Sequence, residues 1–251
     1  MISKPLLRAS LFIGTLTAVF LLHPTSSSLS TPVQRADPKK FQHAVDRSAD
    51  AGRVITLLAV TPDDGLPKEI AQRAEAIGVI PRVVKESRGF SQHWKGYGVI
   101  STRTEKGWTL PAFYQLSGNG FGNPFSNSES YAVIILFMTK DSLKWFDKGR
   151  VLLTNKQKVI EGPVGTVSEA QLKALADVPV LAYAYYNGKL NGTAFGRSFW
   201  DSFDLNPDNN INKPLYGIKG REVLGGGVVN PANVLEGIPA YQAALTKYYS
   251  R

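Results

Sequence analysis

Cysteine is absent from the 251 residues. That excludes disulfides, thiolate metal sites, cysteine nucleophiles and a lipid-modified cysteine after the leader. Histidine is scarce: of three, only His43 and His93 lie beyond the leader defined below. Two scattered imidazoles make neither a catalytic triad nor a zinc site, and no serine stands in a Gly-x-Ser-x-Gly elbow. Long apolar runs are lacking too. The one run of note, Ala9 to Leu22, is shorter than the about 20 residues a membrane helix wants. It follows Lys4 and Arg8 and precedes the small, polar stretch Pro24 to Ser28, so residues 1–28 read as a signal peptide, with an uncleaved anchor as the competing reading. The chain is therefore expected to be exported: periplasmic, outer-membrane-associated or secreted. Acids are the minority charge, 20 against 29 Lys and Arg.

What remains after the leader is 223 residues, enough for a real core without disulfides. Taking Lys4 and Arg8 from the formal +9 leaves +7. An exported basic protein meets anionic lipid or acidic cell-wall polymer more readily than nucleic acid. The competing reading is that the charge serves solubility alone.

Residues 29–38 are rich in Ser, Thr and Pro and read as a flexible tether. From Lys39 to Val60, apolar residues recur at three-and-four spacing, predicting an amphipathic helix. Gly65-Leu66-Pro67 announces a second helix with Ile70, Ala74 and Ile77 on one face, Gly78 as its C-cap and Pro81 beyond it. Strands follow. Tyr97–Arg103 and Trp108–Leu116 flank Glu105-Lys106-Gly107 as a hairpin, and Tyr131–Met138 is apolar enough for a strand covered on both faces. A short helix near Thr139 carries Leu143, Trp145 and Phe146, and strands are expected at 150–154 and 157–161. Ser168 and Gln171 have capping-box spacing. Val180–Tyr186 and Thr193–Phe199 read as a hairpin joined near Asn187-Gly188, residues 201–214 as a loop, and Pro239–Tyr249 as a closing helix. With no repeat or linker after residue 38, the reading is one α+β domain over 39–251: a mostly antiparallel curved sheet packed with N-terminal helices and a C-terminal helix.

Several motifs then occur in order: Asp63-x-Gly65-Leu66-Pro67-x-x-Ile70-x-x-Arg73-Ala74-Glu75-Ala76-Ile77-x-Val79-Ile80-Pro81, Gly98-Val99-Ile100-Ser101, Gly107-Trp108-x-x-Pro111, Gly162-Pro163-Val164-Gly165, Ala182-Tyr183-x-Tyr185 and Leu215-Tyr216-Gly217. Together they resemble the SYLF family over roughly residues 40–250. The resemblance implies a domain that binds membrane lipid, the family also including fungal actin-binding members and exported bacterial ones. An exported chain does not meet actin filaments, which leaves lipid. Gly118-Asn119-Gly120-Phe121-Gly122-Asn123-Pro124-Phe125 and Gly188-Lys189-Leu190-Asn191-Gly192 depart from the family pattern, and leave the headgroup open.

Lys140 to Lys158 sets Lys140, Lys144, Lys148, Arg150, Lys156 and Lys158 against Asp141 and Asp147, beside Trp145 and Phe146. Cations next to an amphipathic aromatic suit a headgroup boundary, whereas a core tryptophan under a solvated helix face has the same pattern. Lys39 and Lys40 at the first helix complete the expected lipid contacts, although the apolar stripe there also suits packing. Asp204-x-Asn206-x-Asp208-x-Asn210-x-Asn212 alternates like calcium ligands but lacks the loop glycine and the final glutamate, which favours a capped turn. Gly118, Gly120 and Gly122 form half a nucleotide loop with no helix behind it.

The expectation is a cell-envelope module that recognises anionic phospholipid or a membrane surface, without covalent chemistry, cofactor, metal or nucleic acid. The alternative is an envelope structural protein that binds a protein or cell-wall polymer. An enzyme on lipid or glycan would need a catalytic constellation, and no group of residues singles one out.

Overall fold

A computed structural model describes residues 37, 39, 41–61, 63–121, 129–154, 159–191, 203–231 and 234–251. The leader and nearly all of the tether, and the expected strand 193–199, lie outside the described residues. One compact unit spans Gln34–Arg251. Its elements are α1 (Gln42–Ala59), α2 (Lys68–Arg73), β1 (Ala76–Arg88), β2 (Ser91–Thr104), β3 (Gly107–Trp108), β4 (Ala112–Phe121) and β5 (Glu129–Phe137). Next come α3 (Lys140–Leu143), running into a 3-10 turn over Lys144–Lys148, β6 (Val151–Leu153), β7 (Val159–Glu161), α4 (Glu169–Ala174), β8 (Val180–Tyr186) and β9 (Lys189–Asn191). The chain closes with β10 (Phe203–Pro207), α5 (Asn209–Tyr216), α6 (Gly220–Leu224) and α7 (Ala240–Tyr249). This is the single α+β domain expected, built on a mixed, nearly closed sheet.

The strands lie in the order β6-β10-β4-β2-β1-β5-β8-β7, antiparallel except β7 on β8. Period-two alternation divides their side chains between two faces. The inner face is aromatic: Trp94 lies 5.4 Å from Phe203, and Phe146 enters 5.7 Å from Tyr114 and 4.8 Å from Phe137. Glycine makes the room. A Cβ at Gly118 would stand 2.2 Å from the Phe203 ring, and one at Gly98 2.1 Å from the Val79 carbonyl oxygen. The outer face receives α1 and α7. Arg47 of α1 sits 4.5 Å over the Tyr97 ring and pairs with Asp208 at 3.0 Å, while Tyr241 of α7 donates its hydroxyl to the Ile77 carbonyl.

Local signals were accurate. The hairpin at Glu105-Lys106-Gly107 forms, β5 is buried between β1 and β8, and Ser168 with Gln171 makes a full capping box. Asn187 and Gly188 both adopt positive φ, 49° and 78°, as a tight hairpin turn requires.

Two segments differ. The second helix stops at Arg73, because Ala74 turns extended, and Ile77 and Gly78 lie in β1. Ala76 to Ile80 are buried throughout and pair on both sides, so tertiary pairing overrides the helical spacing. Gly78 is no cap: its missing side chain leaves space for Ile100. Pro81, which has no N–H to give, falls where both registers shift, at a bulge.

Residues 203–214, within the stretch 201–214 expected as loop, instead lie in β10 and α5. Phe203 and Leu205 face inward, and the carboxylates of the stretch are engaged by neighbours: Asp204 by Arg150, Asp208 by Arg47. Asn212 is fully buried. It accepts from the Phe113 N–H at 2.9 Å and donates to the Phe113 carbonyl at 2.8 Å, so its amide continues the edge of β4 where β10 ends at Pro207. The alternating Asp and Asn are thus structural, and among the described residues no cluster of His, Asp or Glu could hold a metal. The glycines at 118 and 120 lie in β4 rather than in a phosphate loop.

Arg103 ties three elements together at the other end of the sheet. Its Nε donates to the Ala74 carbonyl at 3.0 Å, and its Nη2 to Tyr249 at 3.0 Å and Ala71 at 3.4 Å, with the guanidinium 4.0 Å over Trp108. Burial, with Arg251 nearby, pushes its pKa down to about 10, so it remains a cation at neutral pH.

Two stability outcomes are expected. Asn212→Leu strips Phe113 of its side-chain partners in a dry site and should cost about 2–3 kcal/mol in urea unfolding. Arg103→Leu should cost about 2–4 kcal/mol, with Arg103→Lys recovering only part because an ammonium cannot span three carbonyls and stack on indole.

Candidate functional site

The basic stretch after β5 is divided by its packing. Thr139 caps α3, accepting from the Ser142 N–H at 3.2 Å, and the following 3-10 turn drives Phe146 into the sheet's interior, where it closes one end. Trp145 is half-buried against the same core. Lys144 pairs with Asp141 at 2.7 Å, which lowers the carboxyl's pKa and raises the amine's. Arg150 grips Asp204 through two bonds of 2.7 and 2.8 Å, holding β6 to β10. Lys140 and Lys148 are exposed and, among the described residues, in no ion pair. Lys39 is exposed too but stands apart from them, ahead of α1. Lys40, Lys156 and Lys158 lie outside the described residues. The expected contacts therefore form two groups, one at the closed sheet end and one at the entrance of α1.

The sequence motifs converge on the outer face. The Gly165 N–H donates to the Gly65 carbonyl at 3.0 Å, joining Asp63-x-Gly65-Leu66-Pro67 to Gly162-Pro163-Val164-Gly165. Neither glycine has room for a side chain: a Cβ on Gly65 would lie 2.1 Å from the Thr61 carbonyl oxygen, and one on Gly165, at φ +73°, 2.2 Å from that of Asp63. Gly162 donates to the Ala182 carbonyl and lies against the Tyr183 ring. These residues lock loops to the sheet and present no reactive group.

A groove between α1 and α7 was not anticipated as a unit. The helices approach closely at Gly52, whose Cβ would stand 3.0 Å from the Ala240 carbonyl oxygen. Beside that crossing, Ala49, Ala240, Ala243 and Ala244 floor a depression of about 650 Å³. Its rim carries Leu57 and Val60, 42% and 60% exposed, with Arg53, Lys247 and Tyr248. Among the described residues, Arg53 forms an ion pair with Asp50 one turn away, an exposed contact of little strength. The signal existed in α1, where Leu57 and Val60 fall off the stripe of Ala44, Ser48, Ala51, Ile55 and Leu58 that faces the domain. Another depression, about 460 Å³ beside Pro163, Val164 and α4, has Glu161 at its mouth, a carboxylate that opposes an anionic ligand.

Burial pushes the phenols of Tyr114, Tyr183 and Tyr249 upward, away from neutrality. No helix among the described residues is long and apolar enough to cross a membrane.

No curated protein matches the chain. Residues 127–244 match the family model described as Ysc84, Las17-binding protein actin regulator. The matched stretch runs from the start of β5 into α7 and contains the Gly162-Pro163-Val164-Gly165, Ala182-Tyr183-x-Tyr185 and Leu215-Tyr216-Gly217 motifs. Over residues 127–244 the chain is therefore similar to the SYLF (Ysc84) family, the family its motifs resemble, and the match supports a binding-module role.

Proposed function

We propose that this chain is a cell-envelope module that binds anionic phospholipid surfaces without covalent chemistry. The observation that carries the reading is the α1–α7 groove, an apolar floor with exposed Leu57 and Val60 between Arg53 and Lys247. An apolar strip edged by cations is the arrangement that a headgroup boundary stabilises, the strip against acyl chains and the cations against phosphate. Each cation near such a surface contributes about 1 kcal/mol, so Arg53, Lys247 and Lys39 together suffice for reversible attachment. Lys140 and Lys148 add long-range attraction. The leader-like composition of residues 1–28 supports an envelope location, where the net positive charge would meet anionic headgroups.

The second reading, a protein or cell-wall polymer partner, draws on the same exposed cations and differs in needing no apolar insertion.

The test is co-sedimentation of the chain from Leu29, which keeps the whole compact unit, with neutral and anionic vesicles. Binding to anionic vesicles alone is expected, weakening between about 0.01 M and 0.15 M salt as the screening length falls from about 30 to 8 Å. Leu57→Asp with Lys247→Glu should lower affinity about tenfold or more. Lys140→Glu with Lys148→Glu should cost less and act mainly at low salt. Equal binding to neutral vesicles, or none to either, would overturn the electrostatic-lipid reading and favour the polymer or protein partner.

A further inference from the structure

The turn between β1 and β2 carries a phenylalanine that is largely exposed. Arg88 pairs with Ser91, leaving Gly89 and Phe90 as the turn, with Gly89 at φ +61° and open space where its Cβ would be. Phe90 is 69% exposed. Phe41, Phe113, Phe137, Phe146 and Phe203 are each at most 4% exposed, so these described phenylalanines serve as core.

The charges around it share a face. Cross-strand pairing sets Glu86 opposite His93 and Val84 opposite Lys95, so Arg82, Glu86, Arg88, His93 and Lys95 project from the outer side of the hairpin, all of them exposed. On this face three cations, Arg82, Arg88 and Lys95, stand against the single carboxylate of Glu86. Arg88 approaches Glu86 only to 3.9 Å with both side chains largely in solvent, and Lys95 lies 5.3 Å from the Tyr97 ring. Arg88, His93 and Lys95 line a depression of about 340 Å³ together with Ser117 and Asn119 of β4, and the His93 Nδ1 lies 2.7 Å from the Asn119 Oδ1. Tyr97 on this face also carries Arg47, and α1 leads from there toward α2 and the start of β1. The entrance of α1, with exposed Lys39, therefore points back along the strands toward the turn.

We propose that the β1–β2 turn enters an anionic bilayer, with Phe90 in the boundary between headgroups and acyl chains and Arg88 and Lys95 on lipid phosphates. The inference rests on the anionic-lipid reading above, and names an element that lies outside the family match. A ring at the end of a two-residue turn reaches the boundary without unfolding anything, and cations on one flank hold the hairpin at the surface.

The chain has no cysteine, so Phe90→Cys creates a unique site for an environment-sensitive dye, and Lys106→Cys on the β2–β3 turn at the opposite sheet end is the control. With anionic vesicles, emission from residue 90 should shift to the blue and brighten while residue 106 stays unchanged. Phe90→Ser should weaken vesicle binding about tenfold with no change in unfolding midpoint. If the labelled chain pellets with anionic vesicles but residue 90 stays in water, or Phe90→Ser binds like the parent, the turn is overturned and the lipid reading stands. If the parent pellets with neither vesicle, both fall together.

Discussion

The aromatic interior of the sheet is the contact on which the rest of the fold depends. Trp94 against Phe203, and Phe146 against Tyr114 and Phe137, fill the space the strands curve around. Interiors pack densely, so the Phe203 ring fits only because Gly118 gives up its side chain, as Gly98 does where β2 meets the Val79 carbonyl and Ile80. Phe146 is delivered by the short helix after β5 and closes one end. Once the inner face is satisfied, Val79, Ile77 and Tyr97 on the outer face become the bed for α1 and α7, and the groove between those helices follows from how closely Gly52 lets them approach.

Charge is divided by residue type. Arginine holds structure: Arg47 on Asp208, Arg150 on Asp204, Arg251 on Glu75, and Arg103 on three carbonyls. A planar guanidinium with several fixed donors suits such partners. Lysine is mostly left in solvent, and among the described residues only Lys144 joins an ion pair. The excess positive charge that a surface would meet is therefore carried largely by flexible ammonium groups, which attract without specifying a headgroup.

Much of the architecture was legible where the signal is local. The capping box at Ser168, the turn at Asn187-Gly188 and the apolar run of β5 need only near neighbours, and each formed as read. Ala76 to Ile80 misled because its spacing fits a helix, while pairing on both sides with β2 and β5 makes it strand. Residues 203–214 misled because Asp, Asn and Pro suggest loop; their polar groups are satisfied by Arg150, Arg47 and the Phe113 backbone, all distant in the chain. In the basic stretch, alternation of charge could not distinguish Lys140 and Lys148, which are open, from Lys144 and Arg150, which are engaged.

By itself the sequence determined the class of fold, the surplus of positive charge, the lack of thiol chemistry and the order of motifs that marks the family. Those properties are sums over composition or short spacings, which survive any arrangement of the chain. Tertiary structure decided which cations are spent on internal partners, that glycines at 65 and 165 meet, and that Leu57, Val60 and Phe90 are left outside. Burial and pairing depend on residues far apart in sequence, so whether an apolar side chain is core or a surface contact is settled only when the sheet closes.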